Sequence, residues 1–438
     1  MKTLKFGGTS MADGAAIKKV IDIIKSDKEA NYIVVSAPGV SATCEKVTDL
    51  LLNVIKNKDN FAKPLERVKE RFSAIVNSLN IKFDLDEYFV YFANDIKHGV
   101  SVDYIVSRGE HLSAMLLAKA LDYDFVDAKD IIKFDAFSNF DAELTNEICG
   151  EKLRQHKNAV IPGFYGALPN GEVKTFSRGG SDITGAIAAR AVSASVYENF
   201  TDVDGFCASD PRIIKDAGVI EMLTYEELRE LSYMGASVLH SMSIFPVRHE
   251  DIPIHIRNTF NPKGNGTFIV PTKKFKEGKY SRKKRAVTGI AGKKEFLGIN
   301  IEKSLMNEEL GFGRRILSVF EKYNVSFEHM PGSIDTLSII IDGNGLEKTI
   351  LNRVVAGIIN ECNPDNIEIV QDISLIAVVG HTLSEEINAI ARVSSALAKN
   401  NIRIRMINYG ASKLNIIVAV DTQNFENAIK VLYDEFFK

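Results

Sequence analysis

The chain has 438 residues, 45% hydrophobic and 25% charged, with a formal net charge of −3; this is the balance of a globular protein with room for two to four domains, and it argues against a nucleic-acid or membrane surface. No apolar stretch reaches the ~18 residues of a membrane span. The cysteines (Cys44, Cys149, Cys207 and Cys362) form no CxxC pair and no signal-peptide core precedes the first strand, so neither a disulfide framework nor a zinc site is expected, and a reducing cytoplasm is.

Leu4 and Phe6 alternate with Thr3 and Lys5 and predict a first strand; Ile17, Val20, Ile21 and Ile24 fall on one face of the helix that follows. Between them, Lys5-Phe6-Gly7-Gly8-Thr9-Ser10 has the makings of an anion site. Two glycines let backbone N–H groups approach an oxyanion, a helix opening at Thr-Ser adds donors and a positive dipole end, and Lys5 adds a mobile charge. Taken alone, the Gly-Gly pair also reads as an ordinary βα turn. Apolar runs at 32–36, 159–161 and 252–256 read as buried strands, with helices at 110–121 and 225–239 between them. This alternation, up to about residue 290, predicts a mainly parallel sheet covered on both faces.

Ser107-Arg108-Gly109-Glu110 is expected to open the helix 110–121, with Glu110 either complementing the helix dipole or serving as an anion beside a substrate ammonium. Ser177-Arg178-Gly179-Gly180-Ser181-Asp182 repeats the two-glycine pattern at a helix start. Arg178 offers a bidentate fork for a carboxylate or phosphate, and Asp182 could position a metal or a lysine. Thr201-Asp202-Val203-Asp204-Gly205, with Ser209-Asp210-Pro211-Arg212 behind it, reads either as turns or as a polar loop at the carboxyl edge of the sheet, where ligands bind. Asn258-Thr259-Phe260-Asn261-Pro262 is expected to end the core sheet. No GxxxxGK[ST] or GxGxxG pattern occurs, and no histidine has metal-ligand spacing; His240 reads as a packed helix-end residue. The basic run 282–285 reads as a solvated linker.

Past residue 290 the texture changes. Strands at 296–301, 325–330 and 336–341 with helices at 311–323 and 345–359 are followed by strands at 374–379, 402–407 and 414–420 with helices at 385–400 and 425–437. This is the ferredoxin-like βαββαβ order twice over.

Together with Val34-Val35-Ser36-Ala37, these motifs in this order resemble the monofunctional aspartate kinases of the amino-acid kinase superfamily, along nearly the whole chain. The resemblance implies an α/β fold, the carbamate kinase-like αβα sandwich with an open, mainly parallel sheet, over residues 1–285. Two ferredoxin-like ACT domains are implied at 295–371 and 372–438, with the segment 286–291 expected to pair with the second. The implied reaction is the ATP-dependent phosphorylation of the side-chain carboxylate of L-aspartate to 4-phospho-L-aspartate, with Mg2+ arriving on the nucleotide and no separate protein metal site. It is the first step towards lysine, threonine and methionine. The resemblance gives Lys5, Gly7 and Gly8 the transferring phosphoryl group and has Asp182 orient Lys5. It gives Thr48, Glu110, Phe164, Arg178 and Ser181 the aspartate, with Glu110 on its ammonium. Thr201, Asp202, Cys207, Arg212 and Ser237, with Lys5 and Gly8, would line the nucleotide site. Cys207 and Ser237 stand where Tyr and Lys are usual, and Arg257 where Lys is common, so the grip on the nucleotide is expected to differ.

The attacking group in that reaction is the substrate's own carboxylate, already ionised at neutral pH, so no general base is called for; catalysis reduces to alignment and charge neutralisation. In the C-terminal part, Met306, Gly311, Phe312, Gly313, Ser326, Phe327 and Glu328 resemble the effector pocket of lysine-sensitive members, with Glu328 on an amino group and backbone donors at 311–313 on a carboxylate. The same residues also read as core and surface of a dimerisation unit. L-Lysine is the expected inhibitor, L-threonine alone or in concert the alternative, and ACT pairing implies a homodimer or tetramer. Two rival readings are an amino-acid sensor with an inactive kinase domain and a superfamily kinase for another acceptor such as glutamate, acetylglutamate or uridylate. The end at Lys438 is expected to leave no fused dehydrogenase.

Overall fold

The N-terminal alternation becomes a strand, Lys2–Phe6 (β1), but one buried on both faces: Thr3, Leu4, Lys5 and Phe6 are all inside. The computed structural model describes the chain except residues 42–43, 178, 237–238, 240–243, 283–284 and 411. Two units result. The first comprises Met1–Cys207, Val219–Ser232 and Ser237–Lys283; the second Ala208–Gly218, Tyr233–Ala236 and Lys284–Lys438.

In the first unit, β1 is joined by Ala30–Val35 (β2), Asp124–Phe125 (β3) and Ala159–Pro162 (β4). A small hairpin, Tyr165–Ala167 (β5) and Val173–Thr175 (β6), stands apart, and Tyr197–Thr201 (β7), Met222–Thr224 (β8), Ile254–Asn258 (β9) and Thr267–Val270 (β10) complete the sheet. Its order is β3-β4-β2-β1-β7-β9-β10-β8, and every pairing is parallel except β9 with β10. The turn after Asn258 therefore lies inside the sheet and does not end it, because Thr267–Val270 returns antiparallel beside β9. β1 sits where successive strands switch sides, the place where open α/β sheets bind ligands at their carboxyl ends.

Two helix starts differ from expectation. The first helix begins at Gly14, where the Asp13 side chain accepts the Ala16 N–H at 2.9 Å; Thr9 and Ser10 belong to the turn before it. Ile17, Val20 and Ile24 are buried as the spacing predicts, with Ile23 rather than Ile21 completing the face. The helix bearing Glu110 is Val102–Leu121, capped by Ser101 on the Tyr104 N–H, so Ser107, Arg108 and Glu110 lie buried within it and not in its first turn. Glu110 thus gains nothing from the helix dipole, which acts only over the terminal turn. The helix expected at 225–239 is Tyr225–Tyr233.

The second unit has one five-stranded antiparallel sheet in place of two separate ones: Gly289–Glu302 (β11), Thr336–Asp342 (β12), Asn366–Val379 (β13), Ile404–Tyr409 (β14) and Asn415–Asp421 (β15), in the order β12-β11-β13-β15-β14. The two long strands serve both repeats. Residues 296–302 of β11 pair with β12, and 298–302 with 366–370 of β13, while 289–293 pair with 375–379, and register shifts around Lys293 and Phe296 separate the halves. Helices Phe312–Lys322 and Lys348–Cys362 cover the first repeat, Ala389–Lys399 and Phe425–Phe437 the second. The strand expected at 325–330 does not form. His329 and Gly332 make only isolated bridges to Ile340 and Leu337, since Pro331 cannot donate to a ladder. Among the described residues, no helix is long and apolar enough to cross a membrane.

Candidate active site

Lys5 and Asn199 are register partners on β1 and β7, at the carboxyl end of the sheet. The helix Gly180–Ala191 starts after Gly179, which takes φ 62°, and carries Asp182 in its first turn. Lys5 Nζ lies 2.5 Å from Asp182 Oδ1, with the two side chains 9% and 16% exposed. A pair this far from water keeps its geometry better than a surface ion pair. The structure thus brings Lys5 and Asp182 together.

The glycine turn supplies fewer donors than its composition promises. The Gly7 N–H is taken by the Phe200 carbonyl at 3.1 Å, and in the first turn of the helix the Ala16 N–H is taken by the Asp13 side chain. The N–H groups of Gly8, Thr9 and Ser10 meet no acceptor among the described residues. Ser10 Oγ shares a buried 2.7 Å hydrogen bond with Thr259 Oγ1, which ties the turn to the Asn258-Thr259 motif. The turn also packs on the loop after β2: Gly39 N–H donates to the Gly8 carbonyl at 2.8 Å and Ser36 N–H to that of Phe6 at 3.1 Å.

That loop reaches Glu110 as well. Glu110 accepts a hydrogen bond from the Ala37 backbone, but its Oε2 is buried with no partner among the described residues. Burial pushes its carboxyl up to about 7, against smaller opposing pulls from that bond and from Lys46 and Arg108. A buried carboxylate oxygen without a donor is costly. Thr48 is half-buried in the first turn of Val47–Lys56, two residues beyond Lys46.

Phe164 and Ser181 come together at the start of Gly180–Ala191. Phe164, at φ 81°, donates its N–H to Thr184 Oγ1 at 3.2 Å. A Cβ on Gly163 would sit 2.6 Å from Ser181 Oγ. Gly163→Ala is therefore expected to push this helix start outward. Overpacking of this kind costs about 1–3 kcal/mol, seen as a fall in Tm of several degrees, with the KM for aspartate raised. An unchanged Tm and KM would show that the turn yields freely.

At the far side, Thr201 Oγ1 donates to Asp202 at 3.2 Å, and Asp204 is held by the amides of Asn258 at 2.9 Å and Asn261 at 3.1 Å. Cys207 is half-buried and ends the first stretch of the first unit, bridging to Val219 where the chain returns to it. Arg212 belongs to the second unit, exposed and clamped on Asp210 at 2.7 Å. Arg178 and Ser237 lie outside the described residues. Arg257 points away from the Lys5 face. It pairs with Glu198 at 3.2 Å and lines, with Leu4 and Phe260, a separate groove of about 450 Å3.

The residues that pattern reading missed are Asn199 and Lys46; Ala37 stands in the Val34-Val35-Ser36-Ala37 motif, but without a role. Asn199 alone had a local signal, a buried amide inside the run Tyr197–Thr201. Lys46 acts as a charge at a distance, which no motif records, and Ala37 acts through its backbone N–H, a role its side chain does not announce.

In the second unit, Gly311 caps the helix Phe312–Lys322 at φ 79°, and Phe312 is core, packed with Ile299, Ile316 and Ile339. Met306 is partly buried against that core, Gly313 has open space above it, and Ser326 and Phe327 are exposed. Glu328 accepts a hydrogen bond from the Tyr233 hydroxyl.

The amino acid kinase family model matches residues 2–258, and an ACT domain model matches residues 376–436. Aspartokinase 3 of Bacillus subtilis (strain 168) is 35% identical over 455 residues, spanning 100% of this chain and 99% of its own. The crystal structure of Clostridium acetobutylicum aspartate kinase matches with a TM-score of 0.88 and 43% identity over 99% of each chain. Escherichia coli aspartokinase III, in its complex with aspartate and ADP, shares the fold at a TM-score of 0.76 and 23% identity over 100% of both chains. The chain belongs to the amino acid kinase family. Its activity is that of an aspartate kinase: it phosphorylates the side-chain carboxylate of L-aspartate with ATP and Mg2+, and its ACT region makes it an allosteric enzyme.

Proposed function

We propose that Lys5, Asp182 and the turn at residues 8–10 hold the transferring phosphoryl group, and that Glu110 holds the ammonium of aspartate. One observation carries this reading. Ala37 touches both halves, since its N–H supports Glu110 and its carbonyl lies 3.3 Å from where a Gly8 Cβ would be. Thr48, Phe164, Arg178 and Ser181 complete the aspartate side, with Ser181 on a carboxylate. Thr201, Asp202, Cys207, Arg212 and Ser237, with Lys5 and Gly8, form the nucleotide side, and Gly7 serves by shaping the turn.

The aspartate carboxylate attacks the γ-phosphorus, its oxygen becomes the bridge, and the P–O bond to ADP breaks. Lys5 and the N–H groups of Gly8, Thr9 and Ser10 face the charge that moves between the two oxygens. Asp182 keeps the Lys5 ammonium in place. Mg2+ neutralises phosphate charge when bound. As a hard ion it would be held by the phosphate oxygens of the nucleotide.

The proposed domains are the kinase over 1–285 and ACT domains at 295–371 and 372–438, the second completed by the strand near 286–291. The proposed effector is L-lysine, with L-threonine as the alternative, at Met306, Gly311, Phe312, Gly313, Ser326, Phe327 and Glu328. Phe312 would contribute through its backbone, given its place in the core. An effector ammonium at Glu328 displaces the Tyr233 hydroxyl, and Tyr233 ends the helix Tyr225–Tyr233. Binding that favours a low-activity state is what inhibition requires. Glu328→Ala is expected to raise the lysine concentration for half-inhibition about tenfold or more, the loss of one charge-assisted bond; an unchanged inhibition curve removes Glu328 from the pocket. A cytoplasmic homodimer or tetramer paired through the ACT domains completes the reading.

The test is trapping of the acyl phosphate with hydroxylamine in the presence of ATP, Mg2+ and L-aspartate, with and without lysine and threonine. Aspartyl hydroxamate that lysine suppresses supports both sites. Hydroxamate indifferent to both amino acids removes the effector assignment, and none at all from a folded protein favours a sensor or another acceptor.

A further inference from the structure

We infer that Asn199 is a positioning residue for phosphoryl transfer: its side-chain amide locks the Asp182 carboxylate so that Lys5 is held towards the glycine turn. Asn199 is 3% exposed, in a strand whose neighbours Tyr197 and Phe200 are fully buried. An amide there is costly unless it makes a bond worth keeping. Its Nδ2 donates to Asp182 Oδ1 at 3.0 Å, the same oxygen that lies 2.5 Å from Lys5 Nζ. The neighbouring Tyr197 hydroxyl donates to the Asp182 main-chain carbonyl at 3.0 Å and lies 3.4 Å from Asn199 Nδ2. Tyr197 fits because position 185 is glycine: a Cβ there would sit 2.5 Å from its hydroxyl.

Asp182 is thus fixed twice, at its carbonyl by Tyr197 and at its carboxylate by Asn199. One oxygen serves two donors, so the carboxylate cannot turn both oxygens onto the ammonium. Without the amide it is free to do so, and a forked pair holds Lys5 back from the phosphoryl group. The inference rests on the reading of Lys5 as the phosphoryl contact.

Two variants of equal shape test it. Asn199→Leu removes the donor. Asn199→Asp sets a second carboxylate against Asp182; the charged or titratable groups facing that position are Asp182, Lys5 and the Tyr197 phenol. For Asn199→Leu, kcat is expected to fall roughly 10- to 100-fold, the value of a hydrogen bond to a charged group, with both KM values little changed. For Asn199→Asp, kcat at saturating aspartate is expected to be lower still at pH 8 and to recover about tenfold towards pH 6, relative to the unaltered enzyme. There a proton shared between the two carboxyls restores a donor to Asp182. Wild-type kcat in either folded variant, or a loss in Asn199→Asp with no such recovery, overturns the inference. Should Asn199→Leu fail to fold, the isosteric Asn199→Asp decides. Lys5→Ala is the parallel control. If it retains turnover, the reading of the Lys5 site fails; if it is inactive while both Asn199 variants are normal, the Asn199 inference alone fails.

Discussion

Lys5→Ala is expected to lower kcat by roughly 1,000-fold, the effect of removing a dedicated charge from the developing transition state. The reaction offers no other use for this lysine. Its partner carboxylate is needed by no proton transfer, because the attacking aspartate is already ionised. The KM for aspartate should change little, since the ammonium end of the substrate is held at Glu110. Removing Lys5 alone leaves the Asp182 carboxylate, 16% exposed, without its counter-charge, so some stability will be lost. The double variant Lys5→Ala with Asp182→Asn separates the two effects. Removing both partners of a pair is nearly neutral for stability, whereas activity should not return. A Lys5→Ala enzyme that keeps more than a tenth of its turnover contradicts the assignment.

Glu110→Gln is expected to act on the other substrate. The kcat/KM for aspartate should fall roughly 100-fold or more, as when a buried charged group loses its partner, while the KM for ATP stays put. The same carboxyl predicts a pH dependence. Burial holds it at about 7 in the free protein, well above its unfolded range. The ammonium of aspartate requires the ionised form, so the KM for aspartate should rise as pH falls through 7 in the native enzyme and stay level in Glu110→Gln. The effect on stability has the opposite sense. The folded state binds this proton more tightly than the unfolded chain, so the cost of ionising it is absent below the ordinary carboxyl range. It is felt in full above pH 7, on the order of 3 kcal/mol. Glu110→Gln should therefore gain Tm at pH 8 and gain none at pH 4. A variant that loses both activity and Tm at pH 8 would show Glu110 to be structural.

Local chemistry in the sequence predicted most of what is local in the structure. The strand–turn–helix at Gly7-Gly8, the helix start at Gly179-Gly180 and the βα alternation all follow from short-range spacing, and the structure realises each within a few residues. What was not legible depends on partners distant in sequence. The Gly7 N–H looks free in its motif, but the parallel neighbour β7 brings the Phe200 carbonyl to it. Arg257 reads as one more cation near a nucleotide loop, yet the pleat turns it to the opposite face, onto Glu198. The two ACT repeats read as separate units because each has its own periodicity; that β11 and β13 each run through both appears only in the pairing of 289–302 with 366–379. The start of the helix Val102–Leu121 was misplaced although Ser101 and Asp103 carry a capping signal, because the buried Ser107-Arg108-Gly109-Glu110 looks polar enough to be an end.

One measurement bears most directly on the claim that the substrate's carboxylate is the nucleophile. L-Aspartate labelled with 18O in its side-chain carboxylate is turned over with ATP and Mg2+, the product is trapped with hydroxylamine, and the released phosphate is read by 31P NMR. Attack by the carboxylate makes its oxygen the bridge, and trapping at the carbonyl leaves that oxygen on phosphorus. The account predicts one 18O in each phosphate formed through the hydroxamate, in the unaltered enzyme and, at their reduced rates, in Glu110→Gln and Lys5→Ala as well. Phosphate released with aspartate present but free of 18O would mean that water, and not aspartate, accepts the phosphoryl group.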